Sequence, residues 1–362
     1  MNIQHATPPE SFTSAPLTPP PTDDKSTSPA SRIIREIRNQ QEGRKLTSIP
    51  WASYNLDVEG YEDLLLRLQV DESLCGFAQH KLRYDYFPSA NRFVLRMPTA
   101  LHETFIANIV EEIQIQLKSI QGPAASFAKK ISSRGSTSIK FRDEEYGKHD
   151  PDAQFQYLEA PYPGVVIEVS YSQKRKDLAR LADDYILGSD SDIRAVVGLD
   201  IEYSANKEAT LSVWRPNIET NDAGEKELVA QQTITNQVFR DSDGKPSVSR
   251  TGGLQLRLRD FTTEDLAQPN GRLRDPIFIS ANTLCSFLEN AERNASVATQ
   301  QTSIITSAKP WVRKRRRERT PPEELKHNDE KRFRVDENRA VDQATKDDSS
   351  YKTGSTSDTE SN

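Results

Sequence analysis

The sequence predicts a mixed α/β fold, in which a mixed sheet is flanked by helices and both chain ends are disordered tails. Two short, almost continuous apolar runs, Gly164–Ser170 and Ile193–Leu199, are typical of strands buried on both faces of a sheet. A helical repeat of apolar residues spans Ala100–Ile120, and a second one separates the two apolar runs. The order helix, strand, strand, strand, helix, strand indicates packed layers of helix and sheet.

The two chain ends are predicted to be disordered because they offer little apolar surface. Residues 1–30 hold seven of the 21 prolines among many serines and threonines, so burial cannot offset the entropy of ordering. Residues 300–362 are mostly polar. Only 35% of the chain is hydrophobic, whereas an average domain is roughly 45–50% apolar. The tails account for much of this difference.

Composition and pattern together divide the 362 residues into five segments. We expect a disordered tail at 1–30, a helical N-terminal extension at 31–80, a folded core at 81–262, a C-terminal extension with a helix at 263–299, and a disordered polar tail with a basic cluster at 300–362.

The first half of the folded region is predicted from apolar periodicity and turn residues. The elements expected there are helices at Ser31–Arg38, Tyr61–Val70 and Ala100–Ile120, and strands at Lys81–Phe87 and Arg92–Met97. Pro98-Thr99 marks the start of the long helix, and Gly122-Pro123 marks its end.

The second half carries the two buried strands and their neighbours. Besides these two strands, the elements expected there are strands at Ser138–Arg142, Asp152–Tyr157, Ala209–Trp214 and Gly253–Leu258, and a helix at Lys174–Leu187.

Composition excludes several classes of protein. The net charge of −6 excludes a uniformly basic nucleic-acid coat, although a local basic patch is compatible with it. Two cysteines cannot build a disulfide framework or a four-cysteine zinc site, and they suggest a reducing compartment. No apolar run is long enough to span a membrane, and the N-terminus lacks the features of a secretion signal. The motifs of nucleotide hydrolases, dinucleotide enzymes and α/β-hydrolases are absent.

A basic cluster in the C-terminal tail indicates a nuclear protein that binds a nuclear-import receptor. Six of seven consecutive residues are basic, namely Arg313, Lys314, Arg315, Arg316, Arg317 and Arg319. Such clusters suit import receptors or a phosphate backbone, whereas a solvated charge run is the alternative. Without this signal the expected location is cytoplasmic.

Two carboxylates on the middle strands are the main candidates for chemistry. Asp152 opens one strand and Glu168 lies inside the next, so the two can converge if the strands are neighbours. Paired hard oxygen ligands suit magnesium or manganese, which can activate water for phosphoryl displacement. Glu168 is costly to bury alone, so the alternative is an ion pair with an arginine such as Arg194.

Other polar residues surround this pair in the sequence. The segment Gln173, Lys174, Arg175 and Lys176 lies where a strand leads into a helix, so it suits a nucleic-acid phosphate; a capped helix start is the alternative. His149 offers a general base, although a lone histidine in a loop usually has no functional role. Glu103 is interpreted as a first-turn acid favoured by the helix dipole, with a third metal-side carboxylate as the alternative.

These residues resemble the PD-(D/E)XK nuclease superfamily. The chain reads PD at Pro151-Asp152, VVIEVS at 165–170, KRKDL at 174–178, and then Tyr185. This pattern is similar to that of the Uma-type restriction endonucleases, approximately PD…P…VVEVLSPSTRRRDLxxKxxxY. The resemblance extends over about half the chain, and the EVSYSQ, VVGLDIEY and LSVW stretches resemble a fungal lineage of this family.

The resemblance implies a restriction-endonuclease-like core that cleaves phosphodiester bonds of nucleic acid with magnesium or manganese. Asp152 and Glu168 would be the metal ligands. Lys174 is taken as the catalytic lysine because it is, with Lys176, the nearest substitute for the motif lysine, and Gln173 is a polar candidate. The sequence departs from the pattern because Ser170 stands at the E-x-K lysine and Leu181 at the helix lysine. The expected function is therefore metal-dependent nuclease. The alternatives are a catalytically inactive nucleic-acid-binding module and a nuclear interaction protein.

Overall fold

The computed structural model describes residues 28–44, 51–96, 98–171, 175–201, 206–247, 252–271, 273, 275–303, 335 and 339. The chain divides into two compact units, Met1–Ser303 and Ile304–Asn362, and every element named below belongs to the first. The mixed α/β class is confirmed. The predicted basic cluster at 313–319 lies outside the described residues, as do most of the predicted tails.

The described residues form eight α-helices and thirteen strands. The helices are α1 (Pro29–Gln41), α2 (Val58–Val70), α3 (Glu72–His80), α4 (Ala100–Ser119), α5 (Ala125–Ala128), α6 (Arg175–Gly188), α7 (Glu264–Ala267) and α8 (Ala281–Ser303). The strands are β1 (Trp51–Asn55), β2 (Arg83–Phe87), β3 (Arg92–Arg96), β4 (Ile131–Ser133), β5 (Ile139–Lys140), β6 (Lys148–His149), β7 (Ala153–Tyr157), β8 (Val165–Tyr171), β9 (Ala195–Ile201), β10 (Ala209–Thr220), β11 (Lys226–Arg240), β12 (Gly253–Arg257) and β13 (Pro276–Ser280).

A five-stranded antiparallel sheet and three helices form the N-terminal part of the first unit. Its strand order is β1-β3-β2-β6-β5, and apolar residues of α1, α2 and α3 pack against β2 and β3. Helix α1 begins inside the predicted tail, because Ser28 accepts a hydrogen bond from the Ser31 backbone N–H and Pro29 occupies the first turn. The extension predicted as helical also contains β1, which pairs with β3.

A six-stranded mixed sheet forms the centre, in the order β11-β10-β9-β8-β7-β4. Strands β4, β7 and β8 are antiparallel neighbours, and α6 connects β8 to its parallel neighbour β9. The helix–strand–strand–strand–helix–strand order is therefore present as α4, β4, β7, β8, α6 and β9. The first of these strands is β4, however, and the strand predicted at Ser138–Arg142 is the two-residue β5 of the other sheet.

Helices cover both faces of the six-stranded sheet. Apolar residues of α4 and α8, together with the small sheet of β12 and β13, pack on the face that carries Phe155, Val165 and Ile167. Helix α6 packs on the opposite face, where Leu178 and Tyr185 contact the side of β8 that carries Val166. Residues of β8 thus alternate between two buried faces, and Glu168 lies on the α6 side with Val166.

The edge of the central sheet extends further than the apolar pattern predicts. Strand β10 continues six residues past Trp214, through Pro216, and pairs with the long edge strand β11. Proline is tolerated at this position because β9 pairs with β10 only as far as Trp214. The polar composition of β11 hides it from a search for apolar runs.

Candidate functional site

Strand register brings Asp152 and Glu168 to the same place. Ala153 pairs with Ile167 in the antiparallel β7–β8 ladder, so the next pair along the two strands is Asp152 with Glu168. Both side chains are buried on the α6 side of the sheet. The Val169 backbone N–H fixes Asp152 by donating to its Oδ2 atom at 2.7 Å. The predicted convergence of the two carboxylates is therefore present in the fold.

The guanidinium of Arg96, from the end of β3, lies between these carboxylates. Its two terminal nitrogens donate to Glu168 Oε2 at 2.7 and 3.1 Å, and one of them lies 3.6 Å from Asp152 Oδ1. Its Nε lies 3.3 Å from the buried carboxylate of Asp85, on β2. It also donates to the Asp150 backbone carbonyl. One nearly buried cation thus contacts three buried acids, which we name the Arg96 cluster.

His102 and Tyr185 complete the hydrogen bonds of the carboxylate pair. His102 Nε2, in the first turn of α4, lies 3.1 Å from Asp152 Oδ2. The hydroxyl of Tyr185, on α6, donates to Glu168 Oε1 at 2.6 Å. Three of the four carboxylate oxygens of Asp152 and Glu168 therefore contact protein donors within hydrogen-bond distance, and the fourth faces Arg96.

The Arg96 cluster shifts the pKa values of Asp152 and Glu168 in opposite directions. Burial opposes ionisation of Asp152, but Arg96, His102 and the Val169 N–H outweigh it and hold the pKa of Asp152 well below its usual range. Burial, with the charges of Asp152 and Asp85, raises the pKa of Glu168 well above its usual range. One acid therefore stays ionised while its neighbour retains a proton more readily, as expected when two carboxylates share one cation.

A small cleft opens onto this cluster. Its volume is about 50 Å³, which is room for a few water molecules. Both charged or polar groups and apolar side chains line it. The lining residues include Asp85, Arg96, His102, Asp152, Glu168 and Leu181.

The residues at this position do not fit a magnesium or manganese ion as they are arranged. Arg96 supplies positive charge where the shared cation would be held, and the carboxylate oxygens already accept protein hydrogen bonds. Among the described residues, no group of three or more His, Cys, Asp or Glu side chains is placed to hold a metal. The metal assignment of Asp152 and Glu168 remains a prediction.

The two positions at which the family pattern has a lysine, Ser170 and Leu181, hold other residues that are engaged within the fold. Ser170 Oγ donates to Asp200 Oδ1 at 3.0 Å across the β8–β9 pair, and Leu181 is a buried apolar residue. Gln173 and Lys174 lie outside the described residues, and so do the side chains of Arg175 and Lys176. Their predicted roles in catalysis and nucleic-acid binding remain predictions.

Two residues weighed as alternatives from the sequence have definite positions. Arg194 does not pair with Glu168, because Ala195 pairs with Val165, the first residue of β8, and Glu168 pairs with Gly198. Arg194 contacts Glu264 instead, at 3.4 Å. Glu103 lies in the first turn of α4, as the dipole interpretation requires, and pairs with Arg83 at 2.9 Å.

His149 is not a loop residue, because it lies in β6 and is fully buried. Its ring nitrogens lie 3.5 Å from an Asp85 oxygen and 3.1 Å from an Asp184 oxygen. Burial alone would lower the pKa of His149, but the bonds to Asp184 and Asp85 raise it to about 9. The imidazolium therefore links α6 to the Arg96 cluster as a structural cation.

No motif or pattern in the sequence selects Arg96 or Asp85 as a site residue. Both lie in strands whose alternating pattern assigns them only a secondary structure. The one usable signal is that each is a charged residue next to a buried apolar one, which calls for a partner. Asp85 and Arg96 contact each other across paired strands, but Asp152 and Glu168 reach Arg96 from the other sheet.

Comparisons with protein-family models, with curated proteins and with solved structures give no significant match to this chain. In the part of the chain that the structure describes, no helix is long and apolar enough to cross a membrane.

Proposed function

We propose that this protein is a catalytically inactive, restriction-endonuclease-like module that binds nucleic acid. The main support for an absence of catalysis is the position of Arg96, whose guanidinium contacts both Asp152 and Glu168. A fixed guanidinium holds the position between the two acids, whereas hydrolysis by the implied mechanism needs an exchangeable cation with free coordination positions.

The motif-lysine position supports the same proposal. Ser170 has no charge to orient a water molecule or stabilise a transition state, and its hydroxyl is engaged by Asp200. Compared with the family pattern, the chain has the acidic pair on neighbouring strands, while Arg96 lies where a cation would be held and Ser170 stands at the lysine position.

Binding of nucleic acid is supported by the family resemblance and by the basic segments 173–176 and 313–319. Residues 31–299 carry a net charge of −6, because the N-terminal tail contributes −2 and the C-terminal tail +2. A polyanion is therefore expected to bind through local basic patches, and its affinity should fall steeply as salt rises.

The second candidate is a metal-dependent nuclease with Asp152 and Glu168 as metal ligands and Lys174 as the catalytic lysine. It is favoured by the register that sets the two carboxylates opposite each other. It requires the Arg96 side chain to leave the acids, so the two candidates predict different responses to metal.

The test uses the full chain with DNA and with RNA, in buffers that contain magnesium or manganese. We expect binding without cleavage, and we expect Asp152→Ala and Glu168→Ala to leave this result unchanged apart from any loss of folded protein. Metal-dependent cleavage that is lost in both variants would establish the nuclease instead. No binding to either nucleic acid would refute both candidates.

Nuclear import remains a separate proposal that rests on the cluster Arg313–Arg319. Replacing its six basic residues with alanine in a fluorescent fusion should move the protein from the nucleus to the cytoplasm. An unchanged distribution would refute it.

A further inference from the structure

A second cavity lies beside β7, on the face that carries Asp152. Its volume is about 260 Å³, several times that of the cleft at the Arg96 cluster. Gln154 and Gln156 share this face because side chains two residues apart in a strand point the same way. We name it the two-glutamine cavity; its lining residues include Arg134, Thr137, Lys140, Gln154, Gln156 and Tyr162.

The two glutamine amides are oriented by backbone carbonyls. Gln154 Nε2 donates to the Thr137 carbonyl at 2.5 Å, and Gln156 Nε2 donates to the Ala160 carbonyl at 2.7 Å. Because a carbonyl can only accept, the amide nitrogen must face it, which fixes the side-chain oxygen on the other branch. Among the described residues, neither side-chain oxygen accepts a hydrogen bond, so each amide retains an acceptor and a second N–H.

An acceptor next to a donor on one rigid amide is the arrangement with which glutamine recognises adenine, by bonding to its N6 and N7 atoms. Gln156 is the better placed of the two, because it is half-buried whereas Gln154 is almost completely buried. The backbone anchor holds the amide before a ligand arrives, which lowers the entropy cost of binding.

The remaining lining groups suit the rest of a nucleotide. The ring of Tyr162 is half-exposed and stacks against the ring of Phe141. Because this contact supports the Tyr162 ring, it offers a rigid surface on which a base can stack. Arg134 and Lys140 are exposed, and within the described residues neither forms an ion pair. Unpaired cations in a segment whose net charge is negative are available for phosphate.

We infer that the two-glutamine cavity binds an adenine nucleotide of single-stranded nucleic acid. Gln156 reads the base, Tyr162 stacks on it, and Lys140 and Arg134 contact the neighbouring phosphates. The cavity accommodates about one base, which must be unstacked from its neighbours, so a single strand is the ligand rather than a duplex. This inference rests on the proposed function and names its nucleic-acid site.

The test measures fluorescence anisotropy of labelled oligodeoxyadenylate and oligodeoxycytidylate with the full chain. We expect the adenine oligomer to bind at least about fivefold more tightly, which is the lower end of the discrimination that a bidentate amide provides. Gln156→Leu should abolish this preference. Gln255→Leu, at an exposed glutamine in β12, is the matched control and should retain it.

A second variant, at an exposed residue, distinguishes loss of nucleic-acid binding from loss of folded protein. Lys140 is exposed, and Lys140→Ala should weaken binding of both oligomers about equally and lower the salt slope by about one. Equal affinity for the two oligomers, or a preference that survives Gln156→Leu, would overturn the inference and leave the proposed function intact. Failure of both oligomers to bind would also overturn the inference, whereas the proposed function is decided separately by the assay with DNA and with RNA.

Discussion

Replacing Arg96 with methionine tests whether its guanidinium holds the buried acids together. The wild-type side chain is 12% exposed and contacts Asp85, Asp152 and Glu168, whose side chains are at most 3% exposed. Removing one partner of a buried ion pair costs about 3–5 kcal/mol, because the remaining charge is uncompensated. We expect Arg96→Met to lower the free energy of unfolding by this amount at pH 7.

The control is Arg92→Met in the same strand, whose wild-type side chain pairs with Asp177 at 2.9 Å. Both partners are about one quarter exposed, so the loss should be about 1 kcal/mol. Urea unfolding at pH 7 and pH 5 measures both variants. The loss for Arg96→Met should shrink at pH 5, because the unpaired carboxylates then take up protons more readily. A loss no larger than that of the control at pH 7 would refute the reasoning.

Three further predictions concern the surrounding fold. The pKa of His149 is raised to about 9, so its protonation contributes about 3 kcal/mol to the free energy of unfolding below pH 6.5. This contribution is lost as the pH rises through 9, and His149→Gln should flatten that part of the stability profile measured by urea unfolding. Gly164→Ala should cost about 3 kcal/mol in thermal or urea unfolding, because the new Cβ collides with neighbouring backbone, whereas Gly76→Ala in α3 meets open space and should stabilise by about 0.5–1 kcal/mol. Tyr185→Phe removes the hydroxyl that donates to Glu168, and denaturation should show a loss of about 1–3 kcal/mol; an unchanged midpoint would count against the hydrogen bond.

The apolar pattern predicts the centre of the fold well, because β8 and β9 are buried on both faces and consist mostly of apolar residues. It missed β1, β4 and β11, whose residues are largely polar or half-exposed. Those strands are fixed by pairing with a neighbour, which a single-sequence pattern does not contain.

The acidic pair was predictable in part. Asp152 and Glu168 stand out because each is a carboxylate on or beside a buried strand, and the register of β7 with β8 then makes them direct neighbours. The alternative partner considered for Glu168, an arginine such as Arg194, is close in sequence to β9 but lies four residues along the strand from Glu168. That offset amounts to roughly 13 Å, beyond the reach of an ion pair.

Arg96 could not be predicted as the partner because it reaches the pair through tertiary packing alone. It ends β3 in the five-stranded sheet, whereas Asp152 and Glu168 belong to the six-stranded one. The contact exists only where the two sheets meet, and nothing in the local pattern of β3 distinguishes Arg96 from Arg92 at its other end.

The most direct measurement is a calorimetric titration of the wild-type protein with manganese, beside Asp152→Ala and Glu168→Ala. If the Arg96 guanidinium occupies the position of the cation, wild type and both variants should give the same small heats with no saturable site. Stoichiometric binding of manganese to the wild type, lost in both variants, would contradict the account.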